Sequence, residues 1–517
     1  MTSTLYGIYT AQRSIAINQA AMDVINNNIS NMNTVGYSKE KVDISELSNS
    51  PSSNPADASE TGMGAAIDGI SRNRDVFLDN SFRKSTTDQN YYKQYNDTAV
   101  NMESSVNELS GSSLSSSLTA FYSGLSQLAA NPSDYVTRSS LVQSAVSLTT
   151  QFNNTDSTLQ TMRTGLVGDI NNPSTLNSSK LGVDISDLNN KLSAVANLNS
   201  QINLATSQGT TPNALLDQRD ILLDGISKYI PVTITNEKNN TATVTLGNID
   251  LVKGSQQEGS FELKTGDINN PAVVQIKNDG GSPLSSDASS LITSGEIAAV
   301  LQAGGSDPNK LTVKGMMDSL NTLASQFAGA VNTLQTGGRY IDNSVSPNKL
   351  SDNLSNPLVL PGPGTNPDPV AFFTTSDLSG TITAGNIKVN DALVNNPYQI
   401  AAASLSGAAS ATGDGSNALL MSQAGDQSEA GLGGVTVQGF LTNIAGKMGT
   451  QAANIKDNFD LKDSVLQQVT QQRESVTGVS LDEELTDLVK FQRSYEASAK
   501  IMTTLNQNLT TIINMMG

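Results

Sequence analysis

No cysteine, no histidine and no tryptophan occurs in the 517 residues. Without cysteine there is no disulfide, no thiolate metal ligand and no thiol nucleophile. Without histidine the commonest general base and transition-metal ligand are missing, so any catalysis would fall to Asp, Glu, Lys, Tyr, Ser or Thr. We therefore expect no enzyme activity, no cofactor and no metal site. Aromatic residues are also scarce, at 4%, which limits buried area and favours elongated modules over a compact enzyme. Basic residues are outnumbered, 30 Lys and Arg against 48 Asp and Glu, for a formal charge of −18. That sign opposes binding to nucleic acid or to an anionic membrane surface. No stretch approaches the roughly 20 apolar residues of a membrane helix, and the N-terminus has neither a basic n-region nor a continuous apolar run, so no cleavable signal is expected.

What the chain does have is a seven-residue apolar repeat at each end. Ile8, Ile15, Met22 and Ile29 fall seven apart, with Ala11, Asn18 and Ile25 three residues after the first three of them. Leu481, Leu488, Tyr495, Met502, Leu509 and Met516 form a second series, with Phe491, Leu505 and Ile512 on the same face. This is coiled-coil spacing, and each stripe needs a partner helix. Asn18, Glu484 and Ser498 are polar seam residues, expected to trade stability for register. The first helix, over about residues 4–30, carries Asn26, Asn27 and Asn28, which cost up to ~0.7 kcal/mol each, so alone it is marginal. Ser480 and Glu483 read as a capping box that starts the last helix near Leu481.

Between the ends, Val42, Ile44 and Leu47 alternate as a strand, residues 48–64 read as a loop, and 66–229 are mostly helical with breaks at Asn131–Ser133 and Asn172–Ser174. The inward stripes are Val136, Leu141, Val142, Ala145 and Leu148; Leu188, Leu192, Val195, Leu198 and Ile202; and Leu215, Leu216, Ile221, Leu222 and Ile226. From Pro231 the period changes to two, through Val232, Ile234, Val244, Leu246, Ile249, Leu251, Phe261, Leu263, Val274 and Ile276, giving short strands. Helix returns over 294–334, strand at 371–375 and 387–389, and a long seam runs from Val437 to Val469 before Gly478. The expected fold is mainly α with inserted β, an elongated multi-domain axial protein. Its N- and C-terminal helices (1–47, 478–517) pair in a coiled-coil-like inner domain. A long-helix bundle domain takes 48–230, 286–336 and 406–477, and a small outer β-domain 231–285 and 337–405. Asp217 to Asp220 reads as a salt-bridged helix face, Asp414 to Asn417 as a turn, and Gly431 to Gly434 as a turn lacking the Lys-Ser/Thr of a phosphate loop.

The run Asn27-Asn28-Ile29-Ser30-Asn31-Met32-Asn33-Thr34-Val35-Gly36-Tyr37-Ser38 resembles the N-terminal signature of bacterial flagellar rod, hook and hook-associated proteins. The C-terminal Ser480-Leu481-Asp482-Glu483-Glu484-Leu485, with Phe491-Gln492-Arg493-Ser494-Tyr495-Glu496-Ala497-Ser498-Ala499-Lys500, resembles the flagellar hook-associated protein 1 family. Leu215–Asp220, the helix from Met316 to Val331, and Ile387–Asn390 with Pro397 and Ile400–Ala402 fit it as well. One departure is that no His follows Gly337-Gly338-Arg339, where relatives often place one.

The resemblance implies an extracellular structural adaptor of the flagellum, exported unfolded by the flagellar type III apparatus. It implies a homo-oligomeric ring of about eleven copies between hook protein and the second hook-filament junction protein, and a cytoplasmic export chaperone on the last helix at Leu488, Tyr495, Met502 and Leu509. The assembly interface would be Ile8, Ile15, Met22, Ile25, Ile29, Leu481, Leu488, Phe491, Tyr495, Met502, Leu505, Leu509 and Ile512. The family signature is Asn28, Asn31, Asn33, Thr34, Gly36 and Tyr37. The alternatives are another flagellar axial protein, of hook or filament type, or a secreted coiled-coil adhesin. A glycan-degrading enzyme would need two carboxylates about 5–10 Å apart in a cleft.

Overall fold

The computed structural model describes residues 2–47, 64–107, 114–344, 346–351, 369–377, 379–406, 408 and 410–516. The expected loop at 48–64 lies outside the described residues except for Gly64. In chain order, α1 (Thr2–Asn31) leads into the strands β1 (Glu40–Glu46) and β2 (Ala65–Arg72). Long helices follow: α2 (Val76–Asn107), α3 (Leu114–Ala130), α4 (Tyr135–Val167), the short α5 (Ser174–Ser178), α6 (Lys180–Ser207) and α7 (Asn213–Tyr229). One antiparallel sheet holds β3 (Thr233–Asn236), β4 (Ala242–Leu246), β5 (Ile249–Lys253) and β6 (Gln256–Gln257). A second holds β7 (Ser260–Thr265), β8 (Ala272–Lys277) and β9 (Pro283–Ser285). Then come α8 (Glu296–Gly304), α9 (Val313–Gly337), the pair β10 (Ile341–Asp342) and β11 (Lys349–Leu350), and the pair β12 (Phe373–Thr375) and β13 (Ile387–Val389). The chain closes with α10 (Asp391–Asn395), α11 (Ser416–Ala424), α12 (Val437–Thr477) and α13 (Leu481–Met516).

The helices start where local chemistry lets them. Asp134, Ser179, Thr312 and Thr436 each accept a hydrogen bond from the backbone N–H three residues on, capping α4, α6, α9 and α12. Pro132 and Pro173 stand in the two expected breaks. Residues 66 onward are not helical at first: Ala65–Arg72 is a strand paired antiparallel with β1. Ile67 and Ile70 sit three apart and so imitate helical spacing. A bulge at Asp43/Ile44 absorbs the extra residue, pairing Ile44 with Ile67 and Val42 with Ile70. Two residues assigned to inward stripes are exposed, Val136 and Ile221. The buried face of α4 runs through Arg138, Leu141 and Val142, which leaves Val136 opposite it, and that of α7 runs through Leu216, Leu223 and Ile226.

The few aromatics are concentrated. Five of the eleven Phe, at 121, 152, 327, 372 and 373, form one nest with ring centroids 4.9 to 6.3 Å apart where α3, α4 and α9 meet β12. The strands dock onto the helices through asparagine. Asn189 and Asn199 of α6 and Asn332 of α9 each donate to and accept from the backbone of one strand residue: Phe261, Ala242 and Phe373 respectively. A carboxamide supplies the donor–acceptor pair that a neighbouring strand would, so strand groups the sheets leave unpaired are joined to the helices. The strands β3, β4, β5, β7 and β8 and the helices α2 to α12 thereby share one continuous apolar core.

Arg138 is a fully buried cation with no carboxylate bonded to it; it donates to the carbonyls of Pro132, Pro397, Tyr398 and Ile400 at 2.7 to 3.2 Å. Burial pushes its guanidinium down to about 10, with Tyr398 acting in the opposite sense. Arg138→Ala strands four carbonyls and opens a cavity, so we expect a loss of about 3 kcal/mol or more, read as a lower urea midpoint. A change within experimental scatter would show that the 397–400 loop does not need this anchor.

Candidate functional site: the paired termini and the elbow beneath them

The first and last helices pack on one another. Ser14 meets Ser498, Oγ to Oγ, at 2.8 Å, and the Asn28 side-chain amide donates to Glu484 Oε2 at 3.0 Å. Gly7 lies so close to Leu505 that a Cβ there would stand 3.1 Å from its Cδ1. Positions 7, 14 and 28 of α1 thus face 505, 498 and 484 of α13. Each step along one helix is matched by an equal step back along the other, so the pair is antiparallel and in heptad register.

On α13 the shielded series is Glu484, Leu488, Phe491, Tyr495, Ser498, Met502, Leu505, Leu509 and Ile512, alternating four and three residues apart. The expected seam residues from Leu488 to Ile512 all belong to it, whereas Leu481 is 41% exposed. The register places Leu481 opposite Asn31, the last residue of α1, so the partner helix ends beside it.

On α1 the contact face is wider than the heptad predicts. Ala11, Asn18 and Ile25 are buried, together with Ile17, Ala21, Val24 and Asn28, whereas Ile8, Ile15, Met22 and Ile29 are half-buried. The β1–β2 ribbon also packs on α1, so this helix covers two partners. The polar seam residues are locks: Asn18 lies buried beside Ser14, which it reaches at 3.5 Å, and Glu484 is 1% exposed. Glu483, expected to fold back into a capping box, instead pairs with Lys39 at 2.9 Å, and Lys39 also reaches Glu484 at 3.0 Å.

The signature residues form the elbow between α1 and β1. Asn28 is satisfied on both sides: its Nδ2 donates to the Glu40 carbonyl and to Glu484, and its Oδ1 accepts from Glu40 N–H and from the Tyr37 hydroxyl at 2.8 Å. Burial, then the charges of Glu40, Asp217 and Glu484, push the Tyr37 hydroxyl up, which keeps it a neutral donor. Asn31 donates to the Asn27 carbonyl and accepts from the Thr34 hydroxyl, while Asn33 is exposed. Gly36 has φ +78° and lies against Ile221, where a Cβ would come within 2.4 Å of Cδ1. Next, Ser38 donates through N and Oγ to Asp217, Lys39 N–H to the Thr477 carbonyl, and the Asn73 amide to the Val476 carbonyl. The elbow therefore ties the terminal pair to α7 and to the α12–α13 joint at once.

Below it lies a buried ion cluster that the sequence did not reveal. Arg72 binds Asp217 and Asp220; Arg74 binds Asp79 and approaches Asp220; Arg83 binds Asp220 and Asp224; Arg473 binds Asp79 and Asp224. The guanidinium of Arg473 also lies 4.3 Å from the Phe82 ring centroid. Asp217 and Asp220 thus belong to a salt-bridged face, but not with their neighbour Arg219. Burial opposes ionisation of Asp220, and the guanidiniums of Arg74, Arg72 and Arg83 outweigh it, holding its carboxyl below the ordinary range. The one local signal was the alternation of Arg72 and Arg74 next to a strand. Among the described residues no group of three His, Cys, Asp or Glu could hold a metal ion, and no helix is long and apolar enough to cross a membrane.

Three family models match the chain: the helical domain of flagellar hook-associated protein FlgK over residues 99–348, the C-terminal region of flagellar basal body rod FlgEFG proteins over 470–515, and the flagella basal body rod protein family over 8–37. The chain is 26% identical to flagellar hook-associated protein 1 of Bacillus subtilis over 546 residues, covering 100% of this chain and 99% of the relative. It is 24% identical to the protein of that name in Salmonella typhimurium (96% and 97% covered) and 23% to that of Escherichia coli (98% and 99%). The solved structure of the flagellar hook junction protein FlgK from Burkholderia pseudomallei aligns with TM-score 0.57 at 16% identity, over 77% of this chain and 100% of that one, a likeness of fold.

Proposed function

We infer that this chain, which belongs to the flagellar hook-associated protein 1 family, is a structural adaptor that joins hook to filament and lets the filament assemble. The carrying observation is the pairing of its two ends, 456 residues apart at Asn28 and Glu484, in a fixed antiparallel register with polar locks. Copies standing side by side would cover the outer faces of that pair, where Leu485, Val489 and Ile501 remain exposed. We take the terminal pair (1–47 and 478–517) as the inner layer, the long helices (48–230, 286–336 and 406–477) around it, and the β-rich part (231–285 and 337–405) outermost. About eleven copies would close a ring, with hook protein below and the second junction protein above.

The marginal helicity of α1 and the absence of disulfides suit export as an unfolded chain. An export chaperone on Leu488, Tyr495, Met502 and Leu509 would occupy the stripe that α1 covers after folding, so chaperone and α1 compete. The test is immunogold electron microscopy with an antibody to residues 231–280 on intact flagella. A single narrow band at the distal end of the hook is expected. Label along the hook, along the filament or on the cell body would replace this reading by a hook protein, a filament protein or an adhesin.

A further inference from the structure

Beside the ion cluster is a cavity of about 130 Å³ walled by four arginines, Arg72, Arg74, Arg83 and Arg219, with Asp79 and Asp220. The carboxylates are already taken, Asp79 by Arg74 and Arg473, Asp220 by Arg72 and Arg83. Counting the whole cluster, five guanidiniums (Arg72, Arg74, Arg83, Arg219, Arg473) face four carboxylates (Asp79, Asp217, Asp220, Asp224). The unmatched cation is Arg219, which is 3% exposed. It spends one nitrogen on the Asn199 side chain and the Asn240 carbonyl, and its Nε–H, also buried, has no hydrogen-bond partner. A buried, unpaired guanidinium donor is expensive. In a chain of net charge −18, one buried positive charge in excess marks a place for an anion.

We propose that this cavity binds a small tetrahedral oxyanion, of the class of inorganic phosphate or sulfate, between Arg219 and the arginines of the ion cluster. Size supports the choice: a water takes about 30 Å³, so the space suits a few waters or one such anion, well short of the roughly 300 Å³ and more of drug-sized ligand pockets. Planar guanidiniums present paired N–H groups that fit oxyanions. The electrostatics agree, since burial and then the like charges of Arg72, Arg83 and Arg74 push the Arg219 guanidinium down to about 10 against the pull of Asp220. The bound anion more than offsets the single excess charge at the point where the elbow, α2 and α7 meet, and so stiffens the elbow.

The test uses the full chain. Thermal midpoints are measured in phosphate, in sulfate and in acetate, each against sodium chloride of equal ionic strength, and the linewidth of inorganic phosphate is followed by phosphorus NMR. Phosphate is expected to raise the midpoint saturably, by about 2 °C at twenty times its Kd, and to broaden in the presence of protein. Sulfate acting alike identifies any tetrahedral dianion, and sulfate without effect restricts the site to phosphate. Acetate is expected to do nothing. Arg219→Gln should abolish both effects. Because that variant touches a buried residue, Asn236→Asp provides a second arm. Asn236 is exposed on the cavity wall, so the added carboxylate leaves the fold intact and repels the anion. No phosphate-specific shift in the unaltered chain, an equal shift with acetate, or undiminished shift and broadening in Asn236→Asp would overturn the proposal.

Discussion

Replacing Leu488 and Leu505 together by Asp abolishes filament growth while leaving the helical core folded. Both side chains lie in the α1–α13 seam, and Leu505 fills the space left by Gly7. Full burial of a leucine is worth about 1.5–3 kcal/mol, and these are half-buried, so the direct loss is nearer 1 kcal/mol each. The larger effect is the new carboxylates, which must either protonate or stay in water and hold the helices apart. Because α1 has little helix propensity of its own, it has no reserve once the seam opens. The continuous core from Tyr95 to Ile455 contains neither residue, so cooperative unfolding of that part keeps its midpoint. The readouts are electron micrographs of hooks with and without filaments, and urea unfolding of the purified chain. Normal filaments from the double variant would refute the seam as the assembly device.

Asp220→Ala is expected to lower stability by about 3–5 kcal/mol, the range for removing one partner of a buried ion pair. Asp220 meets Arg72 at 2.8 Å and Arg83 at 3.1 Å, and those cations would be left with one carboxylate fewer in a cluster that is already one short. The same residue sets an acid limit. Its folded-state carboxyl is held below the ordinary range, so the unfolded chain binds a proton first as the pH falls. The stabilisation is therefore complete above the unfolded value near 4, and it is lost as pH drops through the lower folded value. Urea midpoints taken from pH 7 to pH 2 should fall more steeply below about 4 in the unaltered chain than in Asp220→Ala. Parallel curves would assign the acid response to other carboxylates.

Much of this molecule can be read locally. Heptads at 488, 495, 502 and 509 and the change of period at Pro231 are signals carried within a few turns of chain, and helix or strand formed at both, whereas Ala65–Arg72, whose Ile67 and Ile70 imitate helical spacing, became a strand. The signature from Asn27 to Ser38 was legible as a motif, but its work was not. The sequence gives no hint that Asn28 would close on Glu484, or that Ser38 would meet Asp217 179 residues away.

The reason is the difference between a pattern and a partner. Periodicity determines that a face is apolar and how often it recurs, because side-chain direction repeats with the backbone helix. It does not determine what covers the face. Tertiary structure decided that α1 turns toward both α13 and the β1–β2 ribbon, that Leu481 outruns its partner, and that Asp220 takes Arg72 and Arg83 while its neighbour Arg219 points elsewhere. Those choices depend on which charges and gaps are brought together at long range, where burial makes every unmatched group costly.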